Sequence, residues 1–365
     1  MAVNSVAFIG LGLIGGSLAK AFKERLNITD ITAVDVSAQN LDQAIREGYI
    51  KRGFTEITED IYNSDLIFIC TPVKNTIEYI KVLSAKVRPN CLITDVASTK
   101  SEIVNFVNSM DNPPRFIGGH PMAGTEKSGF RSSLSHLFEN AYYVLTPAKS
   151  THNDDIATMR NIIDRIGGIP SVIDAEDHDF ITATISHVPH IIASTLVNLV
   201  ERTDYSDGKM QMLAAGGFKD ITRIASSSPE MWENIVLSNK PKIEGVLDSF
   251  VETLNEFKQH LGNNNSGSIN DYFRTAKQLR DSIADNRKGL LISLDEIIVD
   301  VVDKPGIIGE IATILGNNGV NIKNINVSNS REFEQGCLRI TLPDPESVKN
   351  AVRLLSDEGY KVYKI

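Results

Sequence analysis

One histidine stands before a proline in the small-residue run Gly118-Gly119-His120-Pro121-Met122-Ala123-Gly124-Thr125-Glu126. Its ordinary pKa lies near neutral pH, so on a loop His120 can serve as a general base. It can equally be an imidazole satisfied by the backbone of a glycine-rich turn. Ser98 can orient that ring, or it can cap a helix with Glu102 near the third position. A second cluster is Ser186-His187-Val188-Pro189-His190. Two histidines three apart on a helix suit zinc, but no third ligand stands near and no H-E-x-x-H occurs, so no metal is expected. Substrate hydrogen bonding by Ser186 and His190 is the more economical reading, with His187 buried and satisfied. In the third cluster Lys219 and Arg223 lie one helical turn apart, so both can face one anion. A guanidinium grips a carboxylate in bidentate fashion, and the alternative is an exposed Arg223–Asp220 pair. Trp232, the single tryptophan, reads as a core or interface anchor.

Gly10-Leu11-Gly12-Leu13-Ile14-Gly15 follows the first apolar run and opens the first helical pattern. In such a turn Gly10 allows the tight bend, Gly12 lets backbone approach a pyrophosphate, and Gly15 allows close helix–strand packing. The helix start then offers free N–H groups and a partial positive charge to the phosphates. Asp35 closes the second strand 20 residues after Gly15. A carboxylate there accepts bonds from both ribose hydroxyls and repels a 2′-phosphate, which favours NAD over NADP. Thr71-Pro72, ending a later strand, should lie along the cofactor, with Ser98 touching the nicotinamide.

These groups need a scaffold. Val6–Ile9, Ile31–Val34, Leu66–Ile69 and Cys91–Thr94 read as short strands buried on both faces, with helical periods such as Ser17 to Leu26 and Ser98 to Met110 between them. That alternation predicts an α/β Rossmann-type doubly wound parallel sheet over 1–170. From 171 to 288 the pattern turns all-helical, with apolar faces suited to closing a substrate cleft and pairing two subunits, so a homodimer is expected. From 295 to 365 the pattern is strand-helix-strand-strand-helix-strand, a ferredoxin-like βαββαβ unit.

At 365 residues the chain exceeds one compact core, and its net charge of −9 without a basic block argues against nucleic acid. Three scattered cysteines make neither a disulfide framework nor a metal cage and suit a reducing compartment. The first residues lack a charged leader, and no stretch approaches the ~20 apolar residues of a membrane span. A cytoplasmic protein without a membrane partner is expected.

Taken together, GLGLIGGSLA, the Asp95 to Lys100 turn, GGHPMAGTEKSG, SHVPH and GGFKDITRIASSSPEMW resemble the prephenate dehydrogenase family over roughly residues 1 to 285, the last three motifs being specific to it. The resemblance implies oxidative decarboxylation of prephenate by NAD to 4-hydroxyphenylpyruvate, carbon dioxide and NADH, on the route to tyrosine. It implies His120 as the base, Ser98 positioning it, Arg223 holding the ring carboxylate, and Ser186 and His190 at the pyruvyl side chain. Glu126 and Trp232 would line the pocket, with Lys219 beside Arg223. The terminal segment DKPGIIG with Gly319-Val320-Asn321-Ile322 resembles an ACT domain. Such domains bind an amino acid near the strand–helix turn, which would place an effector at Asp303, Gly306, Ile307, Asn321 and Ile322. L-Tyrosine, the pathway product, is the natural candidate for feedback inhibition. The residues leave open arogenate as substrate, since Glu126 or Asp220 can meet an ammonium. A β-hydroxyacid dehydrogenase ranks lower because it needs a catalytic lysine on the helical domain. A non-catalytic sensor keeping NAD structurally has no use for a base beside a nicotinamide.

Overall fold

The computed structural model describes residues 3–124, 127, 129–205, 207–285, 295–302, 304–328 and 335–364. Glu126 and Asp303 lie outside them. The chain forms two compact units, Met1–Gln259 and His260–Ile365.

The first unit is built on eight strands: β1 (Ser5–Ile9), β2 (Asp30–Val34), β3 (Arg52–Phe54), β4 (Leu66–Ile69), β5 (Leu92–Asp95), β6 (Arg115–Pro121), β7 (Tyr142–Pro147) and β8 (Ile169–Val172). Their order is β3-β2-β1-β4-β5-β6-β7-β8. The first six run parallel; β7 pairs antiparallel with β6 and parallel with β8. The expected doubly wound sheet is thus present with a reversed pair at one edge. Burial on both faces explains the unbroken apolar runs of β1 and β4. One face packs Phe8, Phe22 and Phe68, with Phe8 and Phe68 stacked at 5.3 Å. The other packs Ile9, Ile67, Ile69 and Ile93.

The chain crosses from strand β1 into helix Leu13–Leu26 through the glycine turn. The helical part of this unit holds the run Ala175–Thr182, a π turn at Ala183–His187, and helix Val188–Thr203. Pro189 stands within the first turn of that last helix. It has no N–H to give and its ring crowds the carbonyl four residues back, so a wider turn before it relieves the clash. By length and composition the run Ala175–Thr203 is apolar enough to cross a membrane, which corrects the expectation that no stretch approaches that size. In the fold it buries His178, Asp179, Thr182 and His187. Helix Lys209–Leu213, helix Gly216–Thr222 with a 3-10 turn at Arg223–Ser226, and helix Pro229–Ser238 follow.

In the second unit β9 (Asp295–Val302), β10 (Asn324–Ser328), β11 (Gln335–Leu342) and β12 (Lys361–Lys364) form an antiparallel sheet ordered β10-β11-β9-β12. Helices Ile307–Asn317 and Pro345–Asp357 pack Ile311, Leu315, Ala351 and Leu355 onto Val299, Leu338 and Ile340. This is the βαββαβ pattern that the sequence predicts.

Candidate active site

The glycine turn has the geometry a dinucleotide needs. Gly10 has φ +95°, and a Cβ there would sit 2.5 Å from the Cys70 carbonyl oxygen. A Cβ on Gly15 would meet the Gly10 oxygen at 2.0 Å, while nothing lies within 4 Å of one on Gly12. That open side is the approach for a pyrophosphate. Gly12 caps the helix without a side-chain bond, so the first-turn N–H groups at Leu13 and Ile14 are left for an anion. Asp35 is held just beyond β2, one oxygen accepting from Leu11 N at 2.6 Å and the other from Ser37 N at 2.7 Å. Its carboxylate is thereby held beside the glycine turn. Next to it is a cavity of about 470 Å³. Ile14, Thr71, Pro72 and Ser98 line one wall, and Ser228, Met231 and Asn234 line the other.

His120 lies in β6, the strand after the one that leads to Ser98. This differs from the expected loop. The glycines that hid the strand are there because neighbours come too close for side chains: a Cβ on Gly119 would lie 2.5 Å from the Asp95 oxygen. Half-buried, His120 places Nδ1 2.8 Å from Nε2 of His178. His178 in turn sets Nδ1 2.8 Å from the Asp179 carboxylate. The same carboxylate accepts from the N–H groups of Lys100 at 2.7 Å and Ser101 at 2.8 Å, which caps helix Ser101–Asn108. Ser98 therefore neither caps that helix nor bonds the imidazole; it lines the cavity of Ile14, Thr71 and Pro72 instead. Burial, then His178, Lys100 and His187, hold His120 well below the ordinary 6.5, so the ring is neutral and able to accept a proton. Burial pushes Asp179 up, but the bonds from His178, Ser101 and Lys100 outweigh it and keep the acid below its usual value.

Lys100 is fully buried, with Nζ on the Asp95 carboxylate and on the Gly119 carbonyl at 2.9 Å. Asp95 also accepts from Ala97 N at 2.9 Å and Gly119 N at 3.2 Å. This ion pair ties the end of β5 to the residue before His120. Desolvation lowers the Lys100 pKa against the pull of Asp95.

The ring of His190 stacks on Trp232 at 3.6 Å and 17°. The Trp232 indole nitrogen is buried without a hydrogen-bond partner. His187 meets Asn239 at 3.2 Å and packs edge-on to Trp232, as a satisfied buried histidine. Ser186 is half-buried in the π turn. Arg223 stands at the start of a 3-10 turn, not on one continuous helix with Lys219, and both residues are exposed. Arg223 is nonetheless the C-cap of the Lys219 helix with αR backbone (φ −51°, ψ −41°), so it follows Lys219 by four residues of helical chain. Sequence reasoning did not reach His178, Asp179 or Asn239. Glu176-Asp177-His178-Asp179 looks like the acidic first turn of a solvated helix, and only burial distinguishes it.

A doubly wound sheet, a glycine turn with its carboxylate, and a neutral imidazole define an NAD-dependent dehydrogenase. The prephenate dehydrogenase nucleotide-binding domain matches residues 18–171, the prephenate dehydrogenase dimerization domain matches 174–275, and the ACT domain matches 296–358. A prephenate dehydrogenase of Bacillus subtilis is 35% identical over 95% of this chain and 94% of its own. The crystal structure of prephenate dehydrogenase from A. aeolicus, in complex with hydroxyphenyl propionate and NAD+, is 31% identical with a TM-score of 0.73, covering 78% of this chain and 99% of that one. Synechocystis arogenate dehydrogenase is 27% identical at a TM-score of 0.68, over 76% and 99%. The chain belongs to the prephenate dehydrogenase family.

Proposed function

We propose that this chain converts prephenate to 4-hydroxyphenylpyruvate and carbon dioxide with reduction of NAD. The observation that carries this is His120: a neutral imidazole on β6, in the sheet whose glycine turn and Asp35 fit the dinucleotide. Bound NAD supplies the hydride acceptor for the hydroxyl-bearing ring carbon. His120 takes the hydroxyl proton as that hydride leaves, which lets the ring carboxylate depart and the ring become aromatic. The electron pair of the broken carbon–carbon bond flows through the ring to oxygen, where the proton is returned to give the phenol. Ser98 lies against the nicotinamide in this reading, which its place in the cavity wall with Ile14, Thr71 and Pro72 supports. Arg223, with Lys219 nearby, attracts the ring carboxylate, while Ser186 and His190 meet the pyruvyl side chain. The unpartnered Trp232 N–H is a donor suited to a substrate oxygen. Holding a dianion in one orientation contributes several powers of ten in rate.

Two assignments accompany this reading. L-Tyrosine binds in the βαββαβ unit and inhibits. In support, a cavity of about 400 Å³ lies at the strand–helix turn, lined by Gly306, Ile307 and Ile308 with Val301, Val327 and Leu338. The chain also works as a cytoplasmic homodimer through the helical segment. Exposed Phe180, Ile185, Met212, Leu213 and Ile221 there are the apolar surface such a pairing would cover. A division at 1–170, 171–288 and 295–365 matches these roles.

The test is NADH formation from prephenate and, in parallel, from arogenate. Wild-type chain should turn over prephenate, and His120→Asn should bind it but lose about 10²- to 10⁴-fold in kcat. Preference for arogenate would move the substrate assignment to the amino acid. Full turnover by the Asn variant would remove His120 from the chemistry.

A further inference from the structure

We infer that Asp179 and His178 are positioning residues that set the His120 tautomer and hold the charge it gains in the reaction. The inference rests on His120 being the base, and it adds how the ring is made competent. A carboxylate only accepts hydrogen bonds, so the 2.8 Å contact to Asp179 puts the hydrogen of His178 on Nδ1. With its hydrogen there, the His178 ring presents a lone pair at Nε2. The 2.8 Å contact between the rings holds one hydrogen, which must sit on Nδ1 of His120. His120 Nε2 is left as the unprotonated nitrogen, the only one able to take a proton from substrate. The opposite tautomer would point an N–H at the substrate hydroxyl and stop the reaction.

The arrangement also balances charge. When Nε2 gains a proton, His120 becomes an imidazolium whose Nδ1–H donates to His178, and the Asp179 anion lies one ring beyond. No proton needs to leave His178 for this; the hydrogen bonds tighten in place. The surroundings otherwise oppose the charge: burial, then His178, Lys100 and His187, all disfavour a cation on His120, which leaves the hydrogen bond through His178 toward Asp179 as the compensating contact. Lys242, the other cation that feels Asp179, is paired with Glu176, and Asp95 is already paired with Lys100. Asp179 is thus the anion in line with the base. Its place is fixed from two directions, by the N–H groups of Lys100 and Ser101 on its oxygens and by Asn239 Nδ2 on its carbonyl at 2.7 Å. A purely structural role as a helix cap would account for the Lys100 and Ser101 bonds but not for His178 standing between the carboxylate and His120.

The experiment compares His178→Phe, His178→Gln, Asp179→Asn and His120→Asn in the full chain, measuring kcat, KM, NAD affinity and the pH profile of kcat/KM. His178→Phe removes the acceptor and should lower kcat by about 100-fold with KM little changed. His178→Gln offers an amide oxygen to Nδ1–H and should recover much of that loss. Asp179→Asn removes the anion, so the acid limb should move to lower pH while the plateau falls. In wild-type chain, 15N-histidine NMR should show Nδ1 of His120 protonated and Nε2 bare, a readout independent of whether any variant folds. Protonated Nε2 in that spectrum overturns the inference, as does full turnover by His178→Phe or an unmoved acid limb in Asp179→Asn. If His120→Asn itself kept its turnover, the base assignment would fail first; its inactivity beside an active His178→Phe would sink only the tautomer role.

Discussion

His187 carries a titration that acts on folding more than on the reaction. Burial lowers its pKa from 6.5 to about 4, with Asp179 opposing the shift and His178 adding to it. As pH falls through 6.5 the unfolded chain takes up a proton that the folded chain refuses until near 4. Stability is therefore full above that window and drops within it, by up to about 3 kcal/mol for this group alone. His120 and His190 are lowered too and act in the same direction. The melting temperature should fall as pH drops from neutral toward 4, and His187→Gln should flatten part of that slope; an unchanged slope would clear His187. At this scale the sequence showed which residue types can do chemistry. His120, Ser98, Asp35 and the three glycines are recognisable by their neighbours in the chain. His178 and Asp179 act through contacts 58 and 79 residues away along the chain, and nothing local marks them.

Among the elements, β5 and β6 do most to aim the site. Their ends are fastened by the Asp95–Lys100 pair, both side chains fully buried. Removing one partner leaves an uncompensated charge in the interior, so Lys100→Met should cost about 3–5 kcal/mol, whereas Asp95→Asn with Lys100→Met should regain a good part. Thermal unfolding of the three proteins checks this, and equal losses in single and double variants would count against it. The strands that were legible, β1, β2, β4 and β5, are short apolar runs closed on both faces. β6 was hidden because its glycines break that pattern, and they are required by backbone and side chains approaching from β5 and β7. The π turn at Ala183–His187 was equally invisible, since periodicity does not report a single widened turn.

At the level of the whole molecule, the chain divides into two compact units. The cavity beside Gly306 has the size and apolar lining for an aromatic side chain, and Gly306 itself holds φ +92° at the helix start. L-Tyrosine should lower prephenate turnover of the wild-type chain. Val327→Trp, which fills that cavity, should abolish the response while leaving uninhibited turnover intact. Isothermal titration with tyrosine and steady-state kinetics read both, and inhibition surviving in the Trp variant would place the effector elsewhere. The order of patterns along the sequence, alternating, all-helical, then βαββαβ, was enough to read this plan. The reversal of β7 was not, because the antiparallel pairing of β6 and β7 is fixed by contacts between strands and leaves no periodic trace.

The widened turn before Pro189 also sets a rule for any change of length in that run. Each residue advances an α-helix by about 100°, and this π turn already holds one residue more than an α turn, so inserting another at Ala183–His187 would rotate everything downstream by roughly that angle. His178 and Asp179 would keep their stations, while His190 would swing off the indole it now lies against. Insertions here should thus be tolerated far less than substitutions, because they would part the His178–Asp179 end of the run from the His190 end that lies on Trp232.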